Sequence, residues 1–98
     1  MENYTQRPVL EKTIEAYLVK RVREIGGIPY KFTSPSNRGV SDRIVVLPKG
    51  GVWFVELKRP GGKLTRLQEM FADTMHVMGQ RYACLWSKEE VDKWISQL

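Results

Sequence analysis

Two strand-like segments joined by only four residues constrain the fold of this chain more than any other feature of the sequence. Residues 42–47 and 52–58 are rich in β-branched and aromatic side chains, which favour strands. The residues between them, Pro-Lys-Gly-Gly at 48–51, form a connection short enough for a hairpin. The two strands are therefore predicted to pair antiparallel, with the start of the first opposite the end of the second.

The patterns on either side of this hairpin predict a mixed α/β fold. Gly26-Gly27 and Gly79 are typical of helix ends, and capping-box patterns at Thr65 and Ser87 are typical of helix starts. The predicted elements are helices over residues 8–25, 65–78 and from 87 onward, and strands over residues 28–32, 42–47, 52–58 and 82–86. The middle helix has its apolar positions at Leu64, Leu67, Met70, Phe71, Met75 and Met78. Because one strand returns after a helix, the order α-β-β-β-α-β-α predicts a mixed β-sheet flanked by helices.

Length and composition restrict the class of protein. Ninety-eight residues allow one domain, over residues 1–98, and a core so small that oligomerisation is a reasonable expectation. No apolar stretch approaches the roughly 20 residues that cross a bilayer. The N-terminal residues lack the pattern of a secretory signal, so we expect a cytoplasmic protein without a membrane partner. One cysteine, Cys84, and one histidine, His76, exclude an internal disulfide and a zinc cluster of the usual ligands.

The charge of the chain is unevenly distributed. The net charge is +5, but residues 20–66 hold eleven Lys and Arg against three acids. A basic segment of this kind favours an anionic partner such as a nucleic acid. Two of its three acids, Asp42 and Glu56, nevertheless lie in the predicted hairpin strands among apolar residues.

The hairpin brings these acids together with a lysine. The two-residue period of a strand places Glu56 and Lys58 on one face and Leu57 on the other, and antiparallel pairing places Asp42 near both. Neighbouring carboxylates repel each other unless they share a proton or a cation, and hard oxygen ligands favour Mg²⁺ or Mn²⁺. Taken singly, Glu56 and Lys58 also fit a strand-end salt bridge, and Asp42 fits a strand cap or a partner of Arg43.

The residues around this group resemble a known family. Residues 39–44, Gly-Val-Ser-Asp-Arg-Ile, then 55–62, Val-Glu-Leu-Lys-Arg-Pro-Gly-Gly, and then Leu67-Gln68 are similar to the virus-type replication-repair nuclease (VRR-NUC) family. The resemblance covers nearly the whole chain and is nearest to the minimal phage-encoded members. It implies the restriction-endonuclease-like fold, whose superfamily is defined by an Asp followed by Glu/Asp-x-Lys.

Carried over position by position, the resemblance implies a catalytic group made of Glu15, Asp42, Glu56 and Lys58. Asp42, Glu56, the backbone carbonyl of Leu57 and Glu15 would hold Mg²⁺ or Mn²⁺, with no small-molecule cofactor. Lys58 would orient or activate the attacking water. The resulting activity is the hydrolysis of DNA phosphodiester bonds by an endonuclease.

Two positions keep a second interpretation, and a third departs from the family pattern. Glu15 matches the family's acid on the first helix, but Glu11 lies one turn earlier on the same face and stays an alternative. Gln68 matches the family's glutamine after the catalytic strand, and its place in a capping box explains it equally well. Ser41 departs from the proline that often precedes the catalytic Asp.

The basic side chains suggest how DNA is bound. We expect phosphate contacts, largely independent of sequence and weakened by salt, from Lys31, Arg38, Arg59, Lys63 and Arg66. The resemblance further implies a phage-encoded homodimer that cuts branched DNA, including four-way junctions. Two rival functions are a catalytically inactive DNA-binding module of the same fold and a basic RNA-binding domain, for which Tyr30 and Phe32 are the nearest stacking candidates.

Overall fold

The computed structural model describes residues 9–98 and has the predicted order of elements over them. The elements are α1 (Glu11–Glu24), β1 (Ile28–Lys31), β2 (Arg43–Val46), β3 (Val52–Leu57), α2 (Arg66–Val77), β4 (Arg81–Leu85) and α3 (Lys88–Ser96). Residue 8 lies outside the described residues, but α1 starts later than predicted, because Leu10 has extended backbone and serves as the N-cap. No helix in the described part of the chain is both long enough and apolar enough to cross a membrane.

The four strands form one mixed sheet in the order β1-β2-β3-β4. β1 pairs with β2 and β2 with β3 antiparallel, whereas β3 and β4 are parallel. The predicted hairpin is therefore confirmed. Its loop needs positive φ at three successive residues, Lys49, Gly50 and Gly51, and glycine adopts that conformation at low cost.

Both hairpin strands are shorter than predicted at the end that carries the acids. β2 begins at Arg43 and β3 ends at Leu57, so Asp42 and Lys58 lie just outside the ladder. The Asp42 side chain, rather than a strand carbonyl, accepts the backbone N–H of Leu57. A side chain thus closes the hairpin at this edge and continues the bonding of the ladder.

The two faces of the sheet are packed very differently. On one face, α1 and α3 cover an apolar core of ten buried residues, among the described ones: Ile14, Leu18, Val22, Val45, Val55, Leu57, Leu85, Val91, Trp94 and Ile95. On the other face lies α2, above an aromatic cluster of Phe32, Phe54, Phe71 and Tyr82 with ring centroids 5.9–6.4 Å apart.

The second helix differs from its prediction. α2 has no buried residue, although its apolar positions predict one face against the sheet. Only part of that face meets the sheet, through Phe71, while Leu67 and Met70 are 48% and 50% exposed. One helix cannot bury so wide an apolar stripe on a sheet of four short strands.

The two predicted capping boxes have different outcomes. At Thr65 both bonds are present, because Thr65 Oγ1 accepts from Gln68 N and Gln68 Oε1 accepts from Thr65 N. At Ser87 only the first is present, and the side chain of Glu90 accepts instead from the backbone N–H of Trp86. Both helices still begin within one residue of the predicted start.

Candidate functional site

The candidate site is centred on the side chain of Asp42, at the edge where β2 begins and β3 ends. Its Oδ2 accepts a 2.8 Å hydrogen bond from the backbone N–H of Leu57, and its backbone carbonyl accepts one of 3.0 Å from Phe32 N. These two bonds hold the carboxylate between strands β1 and β3. The residue before it, Ser41, is 1% exposed, and its hydroxyl donates to the carbonyl of Arg43 at 3.3 Å. Serine in place of proline therefore leaves this backbone well anchored.

Glu56 is the buried acid of the site. It is 1% exposed and lies on the α2 side of β3, opposite Leu57, as the strand period predicts. Burial and, to a lesser extent, the neighbouring Asp42 carboxylate together raise its pKa to about 8. A carboxylate removed from water and placed beside another negative charge lacks the compensation it would need to stay ionised.

Gln68 supports Glu56 from the first turn of α2. Its Nε2 donates to Glu56 Oε2 at 3.1 Å, while its Oε1 accepts from the N-cap residue Thr65 at 2.8 Å. One amide thus takes part in both the capping box and the contact with Glu56. The capping box fixes the rotamer that directs the amide N–H to Glu56.

Lys58 follows directly on β3, and its backbone N–H donates to Leu85 O of β4 at 3.0 Å. Within residues 9–98 its ammonium group has no carboxylate within 4 Å. Its positive charge nevertheless lowers the pKa of both Glu56 and Glu11, against the larger effect of burial. Lys58 therefore lies near the acids but forms no salt bridge with any acid among the described residues.

The two acids of α1 occupy different surroundings. The carboxylate of Glu15 accepts from Lys31 Nζ at 3.0 Å and from Arg43 Nε at 2.8 Å. Burial alone would raise the pKa of Glu15, but these two hydrogen bonds outweigh it and lower the pKa. For Glu11, burial raises the pKa, and the strongest charge effects come from Asp42 and Lys58. Of the two acids, Glu11 is thus the one whose electrostatic neighbours are site residues.

Two carboxylates of the site, Asp42 and Glu56, are the candidate ligands for a divalent cation. In residues 9–98 no group of three or more His, Cys, Asp or Glu side chains lies close enough to hold a metal ion. Asp42 and Glu56 do meet, and their neighbouring oxygens are the hard ligands that Mg²⁺ and Mn²⁺ prefer. A bound cation would also relieve the repulsion that raises the pKa of Glu56. The chemistry of this pair therefore fits a divalent metal, with the third acid outside the group.

The predicted DNA-binding side chains are distributed around this edge. Arg59, Lys63 and Arg66 are exposed between the end of β3 and the start of α2, and Arg38 is exposed on the loop before Asp42. Lys31 is also exposed but is engaged by Glu15. Four of the five predicted cations are thus without a carboxylate within 4 Å among residues 9–98.

Arg43 is a residue of this region whose role the sequence did not predict. Beside its bond to Glu15, its Nη1 donates to the carbonyl of Pro29 on β1 at 2.9 Å. Arg43 thereby joins α1, β1 and β2, and it does not pair with Asp42. The strand period could have indicated that Arg43 and Asp42 do not pair, since neighbouring residues of a strand point to opposite faces.

This chain is similar to known proteins. No protein-family model matches the sequence. A protein of Acyrthosiphon pisum secondary endosymbiont phage 1, named "Putative nuclease p44", is 46% identical over 83 residues, which are 85% of this chain and 89% of the relative. A solved structure of a VRR_NUC domain matches with a TM-score of 0.84 and 29% identity, covering 88% of this chain and 94% of that one.

The two similarities agree with the observed fold. The mixed four-stranded sheet flanked by helices is the restriction-endonuclease-like architecture that the resemblance implied. The extent of both matches includes most of the described elements. This chain therefore belongs to the VRR-NUC family.

Proposed function

We propose that this protein is a metal-dependent endonuclease that hydrolyses DNA phosphodiester bonds and prefers branched DNA such as four-way junctions. The observation that carries the proposal is the buried carboxyl of Glu56 beside Asp42, with Lys58 near them and free of a salt bridge among the described residues. Burying one acid beside another destabilises a fold unless they share a proton or a cation. Their retention in so small a protein supports a catalytic role.

The proposed roles follow from the chemistry of the side chains. Asp42, Glu56 and the Leu57 carbonyl would hold Mg²⁺ or Mn²⁺, which when bound supplies a nucleophilic water near neutral pH and stabilises charge on the phosphate. Lys58 would orient the attacking water and offset the negative charge of the phosphate. Gln68 keeps the Glu56 carboxylate in place through its amide N–H, and one acid of α1 completes the group.

The substrate and the assembly are proposed on separate grounds. The exposed cations Arg38, Arg59, Lys63 and Arg66 suit a phosphate backbone, with shape preferred over base sequence. A homodimer would present two sites related by symmetry, which suits a symmetric junction. The phage relative supports a gene product that acts in the cytoplasm of a host cell. Of the two stacking candidates for RNA, Phe32 lies within the aromatic cluster, which disfavours the RNA-binding alternative.

Cleavage of labelled DNA tests this proposal. Four-way junction, flap, single-stranded and linear duplex DNA are incubated with Mg²⁺, Mn²⁺ or EDTA and either the wild type or the variants Asp42→Asn and Lys58→Ala. Asp42→Asn keeps an oxygen that can accept the Leu57 N–H, so the hairpin edge is preserved. We expect cleavage only with a divalent metal, and a loss of at least about a hundredfold in each variant.

Lys49→Ala, on the hairpin loop, is the control for lost positive charge, and thermal unfolding confirms that each variant is folded. Variants that cut at the wild-type rate would show that the site lies elsewhere. A wild type that binds junctions but cuts no substrate with either metal would instead support the inactive DNA-binding module.

A further inference from the structure

A second basic region lies on a face of α1 different from the one that carries Glu11 and Glu15. It is a groove of about 510 Å³, which we call the lysine groove, lined by Lys12, Thr13, Ala16, Tyr17, Lys20 and Lys88. Five of these residues belong to α1, and Lys88 is the first residue of α3. None of the three lysines was among the predicted DNA-binding residues.

The lysines of this groove carry uncompensated charge. In the described part of the chain, none of the three has a carboxylate within 4 Å. The nearby acid Asp92 is instead engaged by Arg21 and by the hydroxyl of Tyr17, which donates to it at 2.7 Å. Lys88 Nζ lies 5.4 Å from the centroid of the Tyr17 ring. The structure thus neutralises Asp92 with other groups and leaves the lysines available to an external anion.

The lysine groove adjoins a second groove that reaches the segment after β3. A neighbouring groove of about 390 Å³ shares Thr13 and Lys88 with it and extends to Pro60. Pro60 is two residues from Lys58 along the chain. One carboxylate, that of Glu89, also lines this connecting groove. A single extended ligand that follows both grooves would therefore reach from α1 to the segment that follows β3.

We propose that the lysine groove binds the phosphate backbone of a duplex arm of the DNA substrate, outside the bond that is cut. The proposal rests on the proposed function, in which the substrate is DNA. Lys12 and Lys20 are separated by about 12 Å of helix, a distance over which one DNA strand presents about three phosphates. Apart from the lysines, the lining offers Ala16, Thr13 and a Tyr17 hydroxyl already bonded to Asp92, so it has little with which to read bases. Backbone contacts of this kind position a substrate without selecting its sequence.

The salt dependence of binding tests this surface. A groove variant, Lys12→Gln with Lys20→Gln and Lys88→Gln, is compared with a control variant of equal charge loss, Lys49→Gln with Arg81→Gln and Lys93→Gln. Affinity for a labelled four-way junction and for linear duplex DNA is measured in EDTA between about 50 and 200 mM salt. Each phosphate contact contributes about 0.9 to the slope of log affinity against log salt concentration. We therefore expect the slope of the groove variant to be smaller in magnitude by about 2 to 3. The slope of the control should change by less than about 0.9, the value of one phosphate contact.

The outcomes for the lysine groove and for the nuclease proposal can be separated. A groove variant with the wild-type slope, or one that changes no more than the control, would overturn the groove proposal even if the wild type cuts DNA. A reduced slope together with a wild type that never cuts would uphold the groove and refute the nuclease assignment. Because binding is measured without metal, neither result depends on catalysis.

Discussion

At the scale of single residues, the two candidate acids of α1 differ in their partners. Glu15 occupies the position that the family resemblance favours, yet its carboxylate is held by Lys31 and Arg43. Glu11, one turn earlier, interacts most strongly with Asp42 and Lys58. The two acids therefore have separable expected roles, one in holding α1 against β1 and β2 and the other in the charge balance of the site.

Isosteric amides distinguish these roles. Glu15→Gln removes the negative partner of a half-buried Arg43, so we expect a loss of about 1 to 3 kcal/mol in the free energy of unfolding, together with slower cleavage. Glu11→Gln removes a partly exposed charge that has no salt bridge among the described residues, so we expect little change in stability but a higher Mg²⁺ concentration for half-maximal cleavage. Urea unfolding and a Mg²⁺ titration of junction cleavage measure both quantities.

The reverse pattern would assign the metal to Glu15. If Glu15→Gln unfolds like the wild type and raises the Mg²⁺ requirement, its bonds to Lys31 and Arg43 give way when metal binds. Glu24→Gln, at an exposed acid of α1 outside both the site and the lysine groove, is the control for the loss of a carboxylate from this helix.

At the scale of elements, the contact between the loop before Asp42 and helix α2 positions the site. Gly39 is buried directly against the backbone carbonyl of Leu67, and a Cβ there would overlap it. The absence of a side chain at residue 39 therefore allows this loop to approach the first turn of α2. That turn also carries Gln68, which bonds to Glu56, so the loop, the helix and β3 are held in one arrangement.

Gly39→Ala tests this close approach. The added methyl group has to move either the loop or α2, and overpacking of this kind costs about 1 to 3 kcal/mol of stability. We also expect at least a tenfold loss of cleavage at temperatures where the variant is folded, because Asp42 and Gln68 are displaced relative to each other. Urea unfolding and junction cleavage at saturating Mg²⁺ are the measurements.

The matched control is Gly50→Ala on the hairpin loop. Residue 50 has positive φ and open space around it, so alanine there costs about 1 to 2 kcal/mol through backbone strain alone and should leave cleavage unchanged. Wild-type cleavage by Gly39→Ala would mean that the loop tolerates the displacement and that the contact serves stability only.

The elements themselves could be predicted where local signals dominate. The hairpin, the Thr65 capping box and the opposite faces of Glu56 and Leu57 depend on residues within a few positions of each other, and all are present. The partners of Glu15 could not be predicted, because Lys31 and Arg43 lie 16 and 28 residues away along the chain. The lysine groove was missed for the same reason, since Lys88 joins Lys12 and Lys20 only through the packing of α3 against α1.

At the scale of the whole molecule, the two faces of the sheet set an expectation for assembly. The face under α1 and α3 holds the ten buried apolar residues of the described core, whereas α2 contributes none. Leu67, Met70, Val77 and Met78 recur on one side of α2 at helical spacing, and Val77 and Met78 are 80% and 66% exposed. Exposed apolar side chains grouped on one side of a helix are typical of an interaction surface.

The homodimer of the proposed function predicts that a second copy covers this side of α2. We expect the wild type to sediment at about twice the mass of one 11.4 kDa chain, and the variant Val77→Asp with Met78→Asp to sediment as a monomer. Leu98→Asp, at another exposed apolar residue, is the control and should stay dimeric. On a four-way junction, the dimer would make paired symmetric cuts. The monomeric variant would still make nicks because its individual site is intact, but these nicks would be unpaired and slower. A wild type that is monomeric at micromolar concentration would contradict the homodimer, and the second cut of a junction would then need a second binding event. An acidic variant that stays dimeric would show that the dimer forms through another surface.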